Sequence, residues 1–149
     1  MKYCCALAAL MLPIAASTAR PAAAQSVSID QTGNANIADS IQDSPDQRLL
    51  AAMNGDPSGA NIAIISQSGV ANTASIEQVA ASGAANELTL IQDGNDNIAA
   101  LSQQGAGNHL DVRQSGDIND AAITQSGYDL GLVINQSGGA AIAVTQTGF

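Results

Sequence analysis

Residues 97–125 read NIAALSQQGAGNHLDVRQSGDINDAAITQ, and one pattern returns in them every 11 residues. Each unit begins with Asn, reaches Gln six positions later and has Gly two positions after that Gln. Between Asn and Gln the residues alternate, as where Leu110 and Val112 are separated by Asp111. Because successive side chains of a strand point to opposite faces, the alternation predicts a strand of about seven residues per unit, followed by a turn.

The pattern extends in both directions over most of the chain. The recurring glutamines are Gln31, Gln42, Gln67, Gln78, Gln92, Gln103, Gln114, Gln125, Gln136 and Gln146, and Met53 holds the position between the second and the third. The asparagines that open units are Asn36, Asn61, Asn72, Asn86, Asn97, Asn108 and Asn119. The glycines expected in turns that need positive φ are Gly33, Gly69, Gly94, Gly105, Gly116, Gly127 and Gly138. The predicted strands are 25–31, 36–42, 47–53, 61–67, 72–78, 86–92, 97–103, 108–114, 119–125, 130–136 and 140–146.

One such strand has too little apolar surface to fold alone. Two facing strands make a coil of 22 residues, and stacked coils bury a thin continuous core. The predicted fold is therefore all-β: a β-solenoid of 22-residue repeats with two strands per coil and amyloid-like cross-β stacking. Residue i then lies over residue i+22, so that the inward Gln and Asn side chains form columns of amide hydrogen bonds.

The composition agrees with a core of this kind. The chain has 149 residues and is 46% hydrophobic, but only 2% aromatic, with no Trp. It lacks the large rings of an ordinary mixed core, and the fixed phase of Gln, Asn and Gly argues against a disordered low-complexity chain. The net charge of −9 argues against nucleic acid as a partner.

The first residues resemble a secretory signal peptide. Lys2 is followed by an apolar run from Cys4 to Ala16, and small residues Ala22 to Ala24 follow. We expect a signal peptide over 1–24, cleaved after Ala24, and a repeat domain over 25–149 that is secreted and has no transmembrane segment. A membrane helix is the alternative, but the apolar run is short for a bilayer span.

Catalytic and metal chemistry have little support, so we predict no enzyme activity, no cofactor and no metal. His109 is the one histidine, and it is predicted to face solvent. The run 93–97 matches the first half of a calcium-binding loop, but Ile98 stands where that loop needs Gly and Gln104 where it needs Glu.

The repeats at Ile65–Gln78, Ile91–Gln103, Leu101–Gln114 and Val112–Gln125 resemble the curlin repeat. The resemblance implies a subunit of curli, the extracellular amyloid fibres of bacterial biofilms. It also implies a role in cell adhesion, self-association or pairing with a second curlin subunit, and export through a dedicated pore with chaperones. The family has a major, fibre-forming subunit and a minor, nucleating one. The few aromatics and the absence of a Gly/Asn-rich segment after residue 24 favour the minor type slightly.

Two further expectations concern assembly. Val27 and Ile29 in the first strand and Ile142 and Val144 in the last are predicted to point inward at uncapped edges, where further copies add head to tail. The irregular segment 43–60 is either a decayed repeat or a gatekeeper against early aggregation. The alternative function is a monomeric secreted β-solenoid that binds ice or polysaccharide through its outward rows.

Overall fold

The computed structural model describes residues 26–33, 36–43, 47–55 and 59–149. All regular structure in these ranges is β-strand, so the all-β prediction is confirmed. The eleven strands are β1 Ser26–Thr32, β2 Ile37–Gln42, β3 Arg48–Gly55, β4 Asn61–Ser68, β5 Thr73–Ala80, β6 Asn86–Asp93, β7 Ile98–Ala106, β8 His109–Ser115, β9 Asp120–Tyr128, β10 Gly131–Ser137 and β11 Ala141–Thr147. The predicted signal peptide 1–24 lies outside the described residues.

The strands alternate between two parallel sheets. The odd-numbered strands form one sheet of six, in the order β1-β3-β5-β7-β9-β11. The even-numbered strands form one sheet of five, in the order β10-β8-β6-β4-β2. Each strand pairs in parallel with the strand two positions further along the chain. The fold is therefore a β-solenoid of about five turns, with two strands in each turn.

The register between coils keeps like residues above one another. His109 of β8 pairs with Gly131 of β10, a separation of 22 residues along the chain. Arg48 of β3 pairs with Thr73 of β5, a separation of 25. Three additional residues lie in each of the connections that follow β3 and β5. The strands themselves stay paired in phase.

The core between the sheets consists of short apolar side chains and amides. In β6 the buried residues alternate with exposed or half-buried ones, and Leu88 and Leu90 lie between the buried Asn86 and Gln92. Leu88 stacks on Leu110, and each is almost completely buried. The space between two facing strands is too narrow for large rings, which explains why the chain folds with so few aromatic residues.

The turn glycines are required for two reasons. Gly94 has a φ of 133°, in the region that favours glycine. A Cβ atom on Gly94 would lie 2.2 Å from the carbonyl oxygen of Gly116 in the next coil. Glycine therefore allows both the turn conformation and the close stacking of one turn on the next.

Besides the turn glycine, a residue immediately before the strand-opening residue also has a positive φ in several repeats. The sequence pattern did not indicate this position. Gly107 occupies it before Asn108 with a φ of 72°. Non-glycine residues hold the same position elsewhere, and Ile118 does so before Asn119 with a φ of 62°. A β-branched residue is strained in this conformation.

Replacement of Ile118 by Gly should raise stability. Ile118 is 69% exposed, so little burial is lost, while relief of the strained φ contributes about 1 kcal/mol. The measurement is the guanidinium concentration at which the β-sheet signal in circular dichroism is lost. The control is Ile98→Gly in the strand β7, where the same substitution should lower that concentration; an Ile118→Gly chain that is equally weakened would contradict the strain.

Candidate assembly site: amide columns and open sheet edges

The inward glutamines of the five-stranded sheet form one continuous column. The Nε2 atom of each donates to the Oε1 atom of the next, at 2.7 Å from Gln42 to Gln67 and again at 2.7 Å from Gln67 to Gln92. The column continues at 2.8 Å from Gln92 to Gln114 and at 3.0 Å from Gln114 to Gln136. Every bond has the same direction, with the donor nearer the N-terminal end of the solenoid.

The column of the six-stranded sheet is shorter. It runs from Gln78 to Gln103 at 2.8 Å, then to Gln125 at 2.9 Å and to Gln146 at 3.0 Å. Met53 lies below Gln78 and has no amide, so the buried Oε1 atom of Gln78 has no hydrogen-bond partner in the structure. Gln31, predicted as a member of this column, is exposed and lies opposite Met53. The structure therefore separates Gln31 from the amide bonds above it.

The second amide hydrogen of these glutamines joins the two sheets. Gln103 of β7 donates to the main-chain oxygen of Glu87 in β6 at 3.1 Å. Gln114 of β8 donates to the main-chain oxygen of Ile98 in β7 at 2.7 Å. Each glutamine thus connects its coil to the next and one sheet to the other, which satisfies amide groups whose burial would otherwise destabilise the core.

The asparagine columns run in the opposite direction. In the five-stranded sheet, Asn61 donates to Asn36 at 3.1 Å, Asn86 to Asn61 at 3.2 Å and Asn108 to Asn86 at 3.1 Å. In the other sheet the asparagines at the equivalent position are Asn72, Asn97 and Asn119, and Asn119 donates to Asn97 at 3.0 Å.

The asparagines also hold the turns. Asn108 donates to the main-chain oxygens of Gln104 at 3.1 Å and Gly127 at 3.0 Å. Gln104 lies near the end of the preceding strand β7, and Gly127 lies near the end of β9 in the next coil, so both acceptors border turns. Asn at this position therefore fixes the turn geometry in addition to stacking.

In the irregular segment 43–60, Gln47 occupies the strand-opening position that asparagine holds in other repeats. It is fully buried, and its Nε2 atom donates to the main-chain oxygen of Gly69 at 2.9 Å. Asn72, one coil further on, donates in the same way to Gly94 at 2.9 Å. The sequence pattern did not single out Gln47, although its position six residues before Met53 was a usable signal. The strand β3 that follows buries Leu49 and Met53, so this repeat keeps its inward face.

Within the part of the chain that the structure describes, the outer edges of both sheets are open at each end of the solenoid. At the N-terminal end, Val27 and Ile29 of β1 occupy inward positions below Leu49 and Ala51, yet they are 52% and 39% exposed. At the C-terminal end, Ile142 of β11 is half-buried and packs against the core. Among the described residues, Asp30 and Asp39 place acidic groups on the N-terminal edge strands, whereas residues 131–149 contain no charged side chain.

Side chains that could support catalysis or metal binding are sparse in the described ranges. His109 is exposed, and its Nδ1 atom lies 3.5 Å from the carboxylate of Glu87 on the outer surface. No group of three His, Cys, Asp or Glu residues is placed to hold a metal ion in 26–33, 36–43, 47–55 and 59–149. The same ranges contain no helix long and apolar enough to span a membrane.

Comparison with known families agrees with this geometry. Residues 83–116, which include the strands β6 to β8, match the family model described as the curlin associated repeat. This part of the chain is similar to the curlin associated repeat. The resemblance to the curlin repeat that the sequence predicted is confirmed over residues 83–116. No curated protein and no solved structure matches the chain.

Substitution of Gln103 by Met should destabilise the solenoid. Gln78 would lose its acceptor and Gln125 its donor, and two unpartnered buried amide groups cost about 2 kcal/mol or more. The guanidinium midpoint of the folded or assembled protein measures the loss.

The matched control is the reverse change, Met53→Gln. It provides a donor for the unpartnered Oε1 atom of Gln78 in a buried site of similar volume, so the midpoint should stay the same or rise. Equal losses in the two variants would show that volume, and not amide pairing, governs these positions.

Proposed function

We propose that this protein, which contains a curlin-like repeat, is a structural subunit of an extracellular curli-type amyloid fibre and that copies join head to tail through the open sheet edges. The observation that carries the proposal is the exposure of inward apolar side chains at β1, where Val27 and Ile29 have the orientation of core residues but no strand of the described residues lies beneath them. An edge strand with unpaired main-chain groups is a template for a further strand.

The two ends differ in a way that supports polar growth. The C-terminal edge is uncharged, while Asp30 and Asp39 lie on the N-terminal edge strands. Two N-terminal ends that met would bring carboxylates together, which is unfavourable, whereas an N-terminal end on a C-terminal end avoids this repulsion. A heterologous contact of this kind does not close and generates a filament.

Secretion, export through a pore with chaperones, and a role in cell adhesion and biofilm matrix belong to the same proposal. They are supported by the signal-like residues 1–24 and by the curlin repeat. A minor, nucleating role is supported only by sequence features, the low aromatic content above all. Its test is whether preassembled protein shortens the lag phase of a second curlin subunit when added in small amounts.

A surface-binding function has less support. Ice and polysaccharide binding would require uniform outward rows, but the row beside the glutamine column of the six-stranded sheet contains Glu77, Ser102 and Thr124 in succession. Such a mixed row lacks the repeated group that a regular crystal or polymer surface demands.

The direct test of the proposed function uses residues 25–149. We expect concentration-dependent thioflavin-T fluorescence, unbranched fibres in electron micrographs, and fibre diffraction with a reflection at about 4.8 Å. A protein that remains a monomer by light scattering for days at high concentration excludes the fibre function and favours the surface-binding alternative.

Val144→Lys should slow fibre growth. Val144 points inward at the C-terminal edge, and a second copy would bury an unpaired ammonium there. A cost of about 2 kcal/mol lowers the affinity for the next copy by more than about ten-fold. The measurement is the elongation rate on preformed seeds.

Thr145→Lys is the matched control, because Thr145 is the exposed neighbour on the same strand. Its side chain points out of the solenoid, so elongation should continue close to the original rate. Equal inhibition by both lysines would indicate that edge charge alone, and not inward stacking, blocks growth.

A further inference from the structure

The residues that the structure describes form an odd number of strands, and this constrains how a second copy of them can stack. Six strands lie in one sheet and five in the other. At the C-terminal end, β11 is the last strand of the first sheet and β10 the last strand of the second. At the N-terminal end the corresponding strands are β1 and β2. Within the chain, every strand pairs with the strand two positions further on.

A second copy in the same orientation does not continue this rule. If β1 of the next copy lay on β11, its β2 would lie in the sheet of β10 with the space of one strand between them. The facing main-chain groups of β10 and β2 would then remain unpaired at every junction. Unpaired main-chain groups in a buried interface are costly, so this arrangement is unfavourable.

We propose that each copy is rotated by half a turn about the solenoid axis relative to the copy before it. The proposal rests on the head-to-tail fibre proposed above. After the half-turn, β1 of the next copy lies on β10 and its β2 lies on β11, so that each sheet continues without a gap. The six-stranded and five-stranded sheets then alternate along each side of the fibre, with a rise per copy of about 26 Å, from 5.5 coils at ~4.8 Å each.

Gly138 supports this junction. Within the chain, a Cβ on each turn glycine would meet the next coil: 2.1 Å from Gly33 to the Gly55 oxygen and 1.9 Å from Gly69 to the Gly94 oxygen. Gly138 follows β10 and has a φ of 71°, but nothing lies within 4 Å of its ideal Cβ position. In the half-turn junction the turn above it is that of Gly33 of the next copy, and the glycine column continues.

The glutamine column that ends in β11 also supports the half-turn junction. Gln146 ends the column of the six-stranded sheet, and its Nε2 atom has one long contact of 3.5 Å to the main-chain oxygen of Gly131. Gln42 begins the column of the five-stranded sheet, and its Oε1 atom has no hydrogen-bond partner in the structure. With β2 of the next copy on β11, Gln146 donates to Gln42 of that copy in the same direction as every glutamine bond within the chain.

The inward apolar residues also match. By the register of the glutamines, Leu132 and Ile134 of β10 lie under Val27 and Ile29 of the next copy. The latter are the exposed inward residues of β1. The carboxylate of Asp30 then lies beside the neutral Asn135, so that no like charges meet across this strand pair.

Disulfide cross-linking of fibres tests the arrangement, because residues 25–149 contain no cysteine. Single variants Thr145→Cys, Ile41→Cys, Asp30→Cys and Asn135→Cys are mixed in pairs under reducing conditions, assembled, and then mildly oxidised. These four residues are exposed on the outer faces, each one position before its glutamine. Neighbouring residues of paired strands are about 4.8 Å apart, within the range that a disulfide spans.

The half-turn predicts covalent dimers from Thr145→Cys with Ile41→Cys and from Asn135→Cys with Asp30→Cys. It predicts none from Thr145→Cys with Asp30→Cys, because these positions lie on opposite outer faces of the fibre. Dimers from that last pair would show stacking without rotation and overturn the proposal. Fibres that cross-link in no pair also overturn it while leaving the fibre function intact, and an absence of fibres in electron micrographs overturns the proposed function itself.

Discussion

The hydrogen bond from one inward glutamine amide to the next is the interaction on which the solenoid depends. A buried amide has two donors and an acceptor to satisfy in a core without water. Gln114 meets this demand by donating to Gln136 and to the main chain of the facing sheet, while it accepts from Gln92. The column continues only where glutamine recurs at the same height in successive coils, so the bonding capacity of this side chain favours a regular period in the sequence.

Irregular spacing between strands is tolerated where it leaves the glutamine columns in register. The two longer connections follow β3 and β5, so they lie in consecutive coils at the same corner of the solenoid. Gly59 of the first approaches Ala81 of the second so closely that a Cβ atom would lie 2.3 Å from the Ala81 oxygen. Gly59 and Ala81 thus lie close together in consecutive coils, and the strands on either side remain in phase. A substitution in the column is different, because Met53 leaves the buried acceptor of Gln78 without a donor.

Much of the fold could be read from the sequence because its signal is periodic. The alternation of Leu110 and Val112 with polar residues specifies a strand, and the positions of Gln and Gly specify which residues stack and where turns occur. The direction of the amide bonds could not be read, because an amide can donate either way along a column and the geometry of each strand decides. The left-handed residue before several of the strands was missed for a related reason: Ile118 has no preference for that conformation, and in the fold its N–H donates to the main-chain oxygen of Asn95 in the neighbouring coil.

The number of repeats determines how successive copies are oriented in the proposed fibre. Each unit of about 11 residues forms one strand, which is half a coil. A chain with an even number of units therefore ends in the sheet opposite to the one in which it began. The next copy then continues both sheets without rotation. The eleven strands formed by the described residues begin and end in the same sheet. The rule that pairs each strand with the second strand after it then requires the next copy to begin in the opposite sheet. Loss or gain of one unit would change the symmetry of the fibre while leaving every local contact as it is, whereas loss of two would change only its rise per copy.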